Sequence, residues 1–538
     1  MGSMQGNFLV LLAMLIYFVV VLTIGFIYAK RSNSSANEYF IGGRTVGPWL
    51  TALSAEASDM SGYLLMGLPG LAFYTGFSDA GWTAIGLAVG TYLNWLLVAK
   101  RLRKYTVVAG DSITLPGFYS RRFHDDKNVI STIAAIIILV FFCVYVGSCF
   151  VTCGKLFHTL FGLDYATMMI LGAIIVFLYT LVGGYLSVVA TDFVQGCLMF
   201  FALAVVLLGS LAWAGGVENV ATFLKDIPGF LSGTQIATPI VDDMGNQVMQ
   251  DGKAMFGDAA EYGILSIVSM MAWGLGYFGM PQVLVRFMSI RSAEEIKISR
   301  RIAVTWVVIS MFCAVAIGLV GRAVIPTAFA TQSAAENVFI VLSQMLLPAF
   351  MCGVVVSGIL AASMSSSSSY LLIAGSSVAE NIFRGVLKRD ATDNQVMIVA
   401  RITLVVVFLF GIFVAYDENS SIFYVVSYAW AGLGASFGPL TLFALYWRRT
   451  NKQGAIAGML TGTIVVLVWH NLIRPLGGVF SLYELLPAFL LASVAIFVVS
   501  KLTAPPEQAV LDEFDHYMDA PDDRVPRMAA GEFEAIDD

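Results

Sequence analysis

Apolar runs of about bilayer length follow one another along almost the whole chain, parted by short polar connections. Thirteen such segments are read, centred on 7–29, 47–73, 80–99, 129–156, 163–183, 189–214, 259–279, 302–325, 342–382, 398–415, 421–447, 453–473 and 480–501. About 20 apolar residues cross the hydrocarbon core as an α-helix. Backbone groups in hydrocarbon must be satisfied within the segment, and the roughly 10-residue alternation of a membrane barrel is absent. The pattern therefore predicts an all-α integral membrane protein of about 13 transmembrane helices. The first run, "NFLVLLAMLIYFVVVLTIGFIYAK", lacks a basic leader and a small-residue cleavage site, so it is read as the first helix and not as a signal peptide.

Two soluble pieces interrupt this pattern. Residues 215–257 form a loop with acidic residues and turn signals such as "DDMGNQ". Residues 503–538 form an acidic tail containing "APPEQ" and "APDDR", a composition expected to stay disordered. The chain thus divides into a membrane domain, 1–502, with core helices at about 47–447, and a short tail.

Lysine and arginine are unevenly shared among the connections, and this predicts orientation. Lys100, Arg101, Arg103, Lys104, Arg121, Arg122 and Lys127 follow the third segment, and Arg286, Arg291, Lys297, Arg300 and Arg301 follow the seventh. Arg384, Lys388 and Arg389 follow the ninth, and Arg448, Arg449 and Lys452 follow the eleventh. The span 326–341 has neither residue type, and 416–420 carries only the charges of Asp417 and Glu418. The basic connections are expected in the cytoplasm, with the N-terminus and the 215–257 loop outside and the C-terminus and its tail inside.

Composition agrees with a bilayer as the solvent. Of 538 residues, 58% are hydrophobic and 12% charged, against about 45–50% and about 25% in soluble proteins. The net charge of −6 leaves no polybasic footprint for nucleic acid, and no obligate protein partner is evident. Six cysteines lie in apolar segments without a CxxC pair, which argues against a disulfide framework or a zinc site. Four scattered histidines argue against a His-based metal centre or a hydrolytic triad.

Polar residues at membrane depth are the functional candidates. The second segment holds "LTALSAEASDMSGYLLMGLPG", in which Glu56 and Asp59 share a face if the region stays helical. Ser54, Ser58, Ser61, Gly62, Gly67, Pro69 and Gly70 crowd the same stretch. Close helix packing explains the small residues but not the carboxylates. A broken helix explains both, because it frees carbonyls that can bind a cation. The seventh segment, "MMAWGLGYFGMP", is a second broken-helix candidate through Gly274, Gly276, Gly279 and Pro281. Trp273 and Tyr277, four apart, would share a helical face and could wall a pocket for a compact, partly apolar ligand or belong to an interfacial belt. Asp192 reads as either a site acid or a helix N-terminal acid. Tyr145 reads as packing.

The tract "AASMSSSSSY", 361–370, sets five consecutive serines, Ser365 to Ser369, inside an apolar segment. At about 100° per residue, Ser365, Ser366, Ser368, Ser369 and Ala362 fall within an arc of about 160°, and Ser367 points away. Hard cations take oxygen ligands, so one face presents a ladder suited to sodium. Bonding back to the helix's own carbonyls covers one or two such serines, not all.

Together these stretches resemble the sodium/solute symporter family, most closely its proline-transporting branch. The resemblance runs through "FIGGRTVGP" (40–48), "TALSAEASDMSGYLLMGLPG" (51–70), "LVGGYLSVVATDFVQ" (181–195), "WGLGYFGMPQVLVRFM" (273–288), "ILAASMS" (359–365) and "SYAWAGLGASFGP" (427–439). It implies a LeuT-like core of two inverted five-helix repeats in a multi-pass plasma-membrane protein. It implies sodium-coupled uptake of L-proline by alternating access, with no enzymatic step. Carried over, the carbonyls of Ala57, Met60 and Ala362 and the hydroxyls of Ser365 and Ser366 would ligate sodium. Asp59 would couple ion to solute, and Glu56 lies beside it. Arg44 matches a functionally important cytoplasmic-side arginine. Ser61, Gly62, Tyr145, Trp273, Tyr277 and Pro281 would form the proline pocket. Asp192, Ser365, Ser368 and Ser369 would make a candidate second sodium site. Tyr63 stands where relatives often carry Trp, Met280 where they carry Gln and Ser366 where they carry Thr. Three alternatives stay open: another small solute, a proton-coupled carrier using Glu56 or Asp59, and a membrane enzyme or sensor.

Overall fold

The computed structural model describes residues 2–32, 34–250 and 252–519. It is all-α apart from two small two-stranded hairpins, Gln235–Ile236 with Ala260–Glu261 and Met249–Gln250 with Lys253–Ala254. Both hairpins, with the helix Val217–Lys225, belong to the soluble excursion that starts at 215, so this stretch is partly ordered secondary structure. Among the described residues, eight helices are long and apolar enough to cross a membrane, ten if two bent pairs count as one span each.

The centre of the molecule is the helix Ala349–Ser376, which carries the serine tract. Its apolar window is 78% buried, against 33% for the first helix. It packs against Gly2–Ser32, Pro48–Gly62, Val129–Phe161 and Tyr185–Trp213. A helix surrounded on all sides by other helices has no lipid-facing stripe to keep apolar, which is why this one can hold hydroxyls. The apolar run expected over 342–382 is two helices, because Pro348 precedes Ala349 and the chain before it is extended at Leu347.

Both expected breaks occur. The helix Pro48–Gly62 ends where Ser61 takes φ 41°, ψ −165°. A π-helical turn, Tyr63–Gly67, and the helix Leu68–Thr75 continue it. In the seventh segment, Ile264–Met271 is α-helical, Ala272–Gly279 is a 3₁₀ stretch, and a new helix starts at Pro281 and runs to Ser289. Proline lacks the N–H that a first helical turn leaves unpaired and presets its φ. The 3₁₀ stretch presses its backbone onto the helix Phe77–Leu97. A Cβ on Gly90 would stand 2.3 Å from the Gly274 carbonyl oxygen and 2.4 Å from its Cα.

The tail departs from expectation. Residues 508–516 are helical, and the positions 520–538 lie outside the described residues. Phe514 and Tyr517 pack on Tyr105, the Tyr517 ring at 4.2 Å. Arg101 donates to Tyr517 Oη at 2.8 Å, Arg448 pairs with Asp515 at 2.7 Å, and His124 lies 2.9 Å from Glu513. An acidic segment with few apolar residues cannot fold alone. Here the basic connections supply the counter-charge and two aromatic side chains supply the buried area.

Gly90→Val should abolish the monodisperse species in detergent size-exclusion chromatography. Its branched side chain meets backbone, which no rotamer can move aside, so the cost exceeds the about 1–3 kcal/mol of ordinary overpacking. Gly6→Ala, with no atom within 4 Å of its new Cβ, should elute like the parent.

Candidate functional site

The site is built where the broken helix Pro48–Gly62 meets the serine helix. Ser365 Oγ donates to the Ala57 carbonyl at 2.7 Å and to the Ala362 carbonyl at 3.1 Å. One hydroxyl thereby links three of the oxygens expected to ligate sodium. Ser366 Oγ is buried and has no hydrogen-bond partner, an arrangement that costs about 1–3 kcal/mol unless a ligand supplies the partner. The Met60 carbonyl accepts from the Tyr63 N–H at the break. Such neutral oxygens, with one hydroxyl unused, suit a hard monovalent cation.

The other serines divide differently from the helical wheel. Ser367 Oγ turns back to the Ser363 carbonyl, as its off-ladder position predicts. Ser368 Oγ also turns back, to the Ser365 carbonyl at 3.1 Å. Ser369 Oγ accepts from Arg286 Nη2 at 2.6 Å. Back-bonding thus holds more of the tract than the sequence pattern suggests.

Both carboxylates of the broken helix are buried. Trp95 Nε1 donates to Glu56 Oε1 at 3.1 Å, and Gln282 Nε2 donates to Asp59 Oδ1 at 3.0 Å. Neither acid forms an ion pair among the described residues. Tyr145 is more than packing on its own helix: its ring lies 4.4 Å from that of Tyr370 on the serine helix. A Cβ on Gly62 would stand 2.1 Å from Thr152 Oγ1 on the tyrosine's helix, so the break and Tyr145 are held close.

Trp273 and Tyr277 do not share an α-helical face, because 3₁₀ geometry places three residues per turn. They are joined instead through Trp430, whose ring lies 6.2 Å from Trp273 and 5.1 Å from Tyr277. Trp273 also stacks on Tyr63 at 5.3 Å and on Tyr483 at 5.1 Å. The hydroxyls of Tyr63 and Tyr277 are buried without partners. Pro281 opens the helix that carries Gln282 and Arg286.

Sequence reasoning missed Gln282 as the donor to Asp59. It counted Arg286 among cytoplasmic loop charges, whereas the structure buries it inside the helix Pro281–Ser289. The available signal was helical spacing: 282 and 286 are four apart and share one face after a helix-starting proline. Also missed was Glu336, fully buried, which accepts from Lys155 at 2.6 Å and from the backbone N–H groups of Ile422 and Phe423 at 3.0 Å each. Arg44 lies apart from these residues. Its guanidinium binds Asp111 at 2.9 Å and the carbonyls of Met288 and Ser112 at 2.5 and 2.9 Å.

The model of the sodium:solute symporter family matches residues 39–462. Sodium/proline symporters of Staphylococcus aureus strains JH9 and N315 are each 40% identical over 513 residues, 94% of this chain and of theirs. The chain belongs to the sodium:solute symporter family. A solved Na+-coupled sialic acid symporter in a substrate-bound outward-open state shares the fold, with TM-score 0.73 and 20% identity over 93% of this chain and 99% of its own. Mhp1, a nucleobase-cation-symport-1 family transporter, follows at TM-score 0.51 and 14% identity, over 89% of this chain and 98% of its own. This symporter is a multi-pass protein of the plasma membrane, and its relatives are transporters and not enzymes.

Trp95→Phe should lower the thermal midpoint of the symporter in detergent by several degrees, since Glu56 then loses its donor. Adding Glu56→Leu should recover most of that loss. Unchanged melting of the single variant would show that this buried contact contributes nothing.

Proposed function

We propose that the protein takes up L-proline by coupling its entry to an inward flow of sodium through alternating access. The observation that carries this is the Ser365 hydroxyl on the Ala57 carbonyl beside the unpartnered Ser366 hydroxyl, next to the break at Ser61. The relatives named sodium/proline symporter supply the solute. Sodium is bound by Ala57, Met60, Ala362, Ser365 and Ser366. Proline is held by Ser61, Gly62, Tyr145, Trp273, Tyr277 and Pro281. Asp59 couples the two: it stands on the helix that gives carbonyls to sodium and accepts from Gln282, next to Pro281 of the pocket. Sodium favours the proline-binding conformation by binding it more tightly than the other, and only such a difference can shift the balance. An inside-negative potential adds about 2.3 kcal/mol per charge per 100 mV.

The architecture is read as thirteen spans. Beyond the ten, the interrupted run Pro48–Thr75 and the helices Tyr165–Val182 and Ile422–Tyr446 each cross once. The run Pro48–Thr75 is not one continuous apolar helix because its site residues break it. Two inverted five-helix repeats form the core, with the N-terminus outside and the C-terminus inside. The acidic helix docked on the basic connections supports placing both on one side. Arg44 joins that side to the helix Pro281–Ser289 through Met288 and serves as a gating residue.

Radiolabelled proline uptake into proteoliposomes should require a sodium gradient and vanish when choline replaces sodium. Uptake that persists in choline and follows a pH gradient would replace this reading with a proton-coupled one. Ser366→Ala should raise the half-maximal sodium concentration about tenfold, equivalent to about 1.4 kcal/mol, while Ser367→Ala stays within about twofold. Trp273→Ala should weaken proline binding at saturating sodium, read by equilibrium binding of labelled proline.

A further inference from the structure

The residues expected to form a second sodium site do not come together around a free set of oxygens. Arg286 Nη2 donates to Asp192 Oδ2 at 3.1 Å and to Ser369 Oγ at 2.6 Å. Its Nε donates to Ser54 Oγ at 3.0 Å and its Nη1 to the Gln282 carbonyl at 3.1 Å. Ser54 Oγ also donates to Asp192 Oδ2, at 2.6 Å. The Arg286 side chain is 1% exposed and that of Asp192 0%. The guanidinium rests 5.4 Å above the Tyr185 ring. One carboxylate oxygen, two hydroxyls and a carbonyl are a donor set suited to a hard cation, and here each contacts the fixed cation of Arg286. The remaining member, Ser368, is bonded to its own helix.

We propose that Arg286 is a resident cation that stands in for a second sodium ion, so that one sodium, and not two, accompanies each proline. Asp192 Oδ1 is buried without a partner and is the atom a further ion would approach. An ion there would share one carboxylate with the guanidinium, and at the effective dielectric of a protein interior the repulsion between two cations so placed weakens binding on the order of 100-fold. Arginine suits the position because its charge is permanent and its planar fork reaches several acceptors at once. It also fixes the helix Pro281–Ser289 to Tyr185–Trp213, Pro48–Gly62 and the serine helix at one point. The inference rests on the sodium-coupled reading above, and the experiment separates the two.

Full-length protein is reconstituted with fixed sodium and proline gradients, and the membrane potential at which net proline flux reverses is measured. That potential gives the number of sodium ions per proline, and one is expected. Absence of sodium-dependent uptake refutes the function itself, whereas a ratio of two overturns the resident cation and leaves the function standing. Arg286→Lys, which keeps a cation, should keep a ratio of one; a ratio of two in this variant also overturns the proposal. Arg286→Gln frees Asp192, Ser54 and Ser369, and sodium should then stabilise the purified protein against heat in two saturable steps where the parent shows one. A single step in Arg286→Gln, matching the parent, overturns the proposal without reference to transport. Should this variant not fold, the ratios of the parent and of Arg286→Lys decide.

Discussion

A polar atom at the depth of a bilayer has to find its partner inside the protein, because lipid offers none. The serine helix is where this constraint acts most densely. Its hydroxyls are answered by its own carbonyls at Ser367 and Ser368, by the Ala57 carbonyl at Ser365 and by a guanidinium at Ser369. Of the five consecutive serines, Ser366 alone is unanswered. Four of the five consecutive serines are thus held, and the turn of Ser366 is left chemically open. That turn faces the break in the helix Pro48–Gly62, so the opening is shared by two elements and not held by one.

The break itself follows from the same constraint. Ser61 adopts a left-handed φ that costs a non-glycine residue of order 1–3 kcal/mol, and Gly62 lies too close to Thr152 for any side chain. The structure tolerates this because the surrounding packing determines it: Pro48–Gly62 is enclosed by the serine helix, Tyr185–Trp213 and Ile296–Val324. In the seventh segment the break is spread over eight residues of 3₁₀ helix, whose tighter winding rotates Trp273 and Tyr277 away from a common face. Trp430 fills the angle between them.

Sequence made the bilayer solvent, the two breaks, the carboxylates and the serine ladder legible, because apolar length, glycine and proline placement, and helical periodicity are local properties. It misled where a residue's meaning depends on a distant partner. Arg286 reads as a loop charge until Asp192, 94 positions away, is seen beside it. The acidic tail reads as disordered until Arg101 and Arg448 are brought under it. Ser368 lies on the right arc of the wheel, yet its hydroxyl is short enough to prefer a carbonyl of its own helix. The aromatic wall was half seen: Trp273 and Tyr277 are neighbours in sequence, while Tyr63, Trp430 and Tyr483 reach them only through the fold.

The buried charges distribute themselves in a way that bears on where a mobile ion can act. Asp192 is matched by Arg286, and Glu336 is matched by Lys155. Asp59 and Glu56 are matched by neutral donors alone, a glutamine and a tryptophan. An unpaired carboxylate in a low-dielectric interior is costly in its charged form, and the cost falls when a cation comes near. A cation arriving at the Ala57 carbonyl meets two uncompensated acids on the same helix, one residue before it and two after. A cation arriving near Asp192 meets an acid already neutralised and a positive charge that cannot leave. The fixed pairs therefore confine the favourable electrostatics to one place along the serine helix. A cation entering there would change the charge balance of the broken helix, to which Gln282 ties the helix beginning at Pro281.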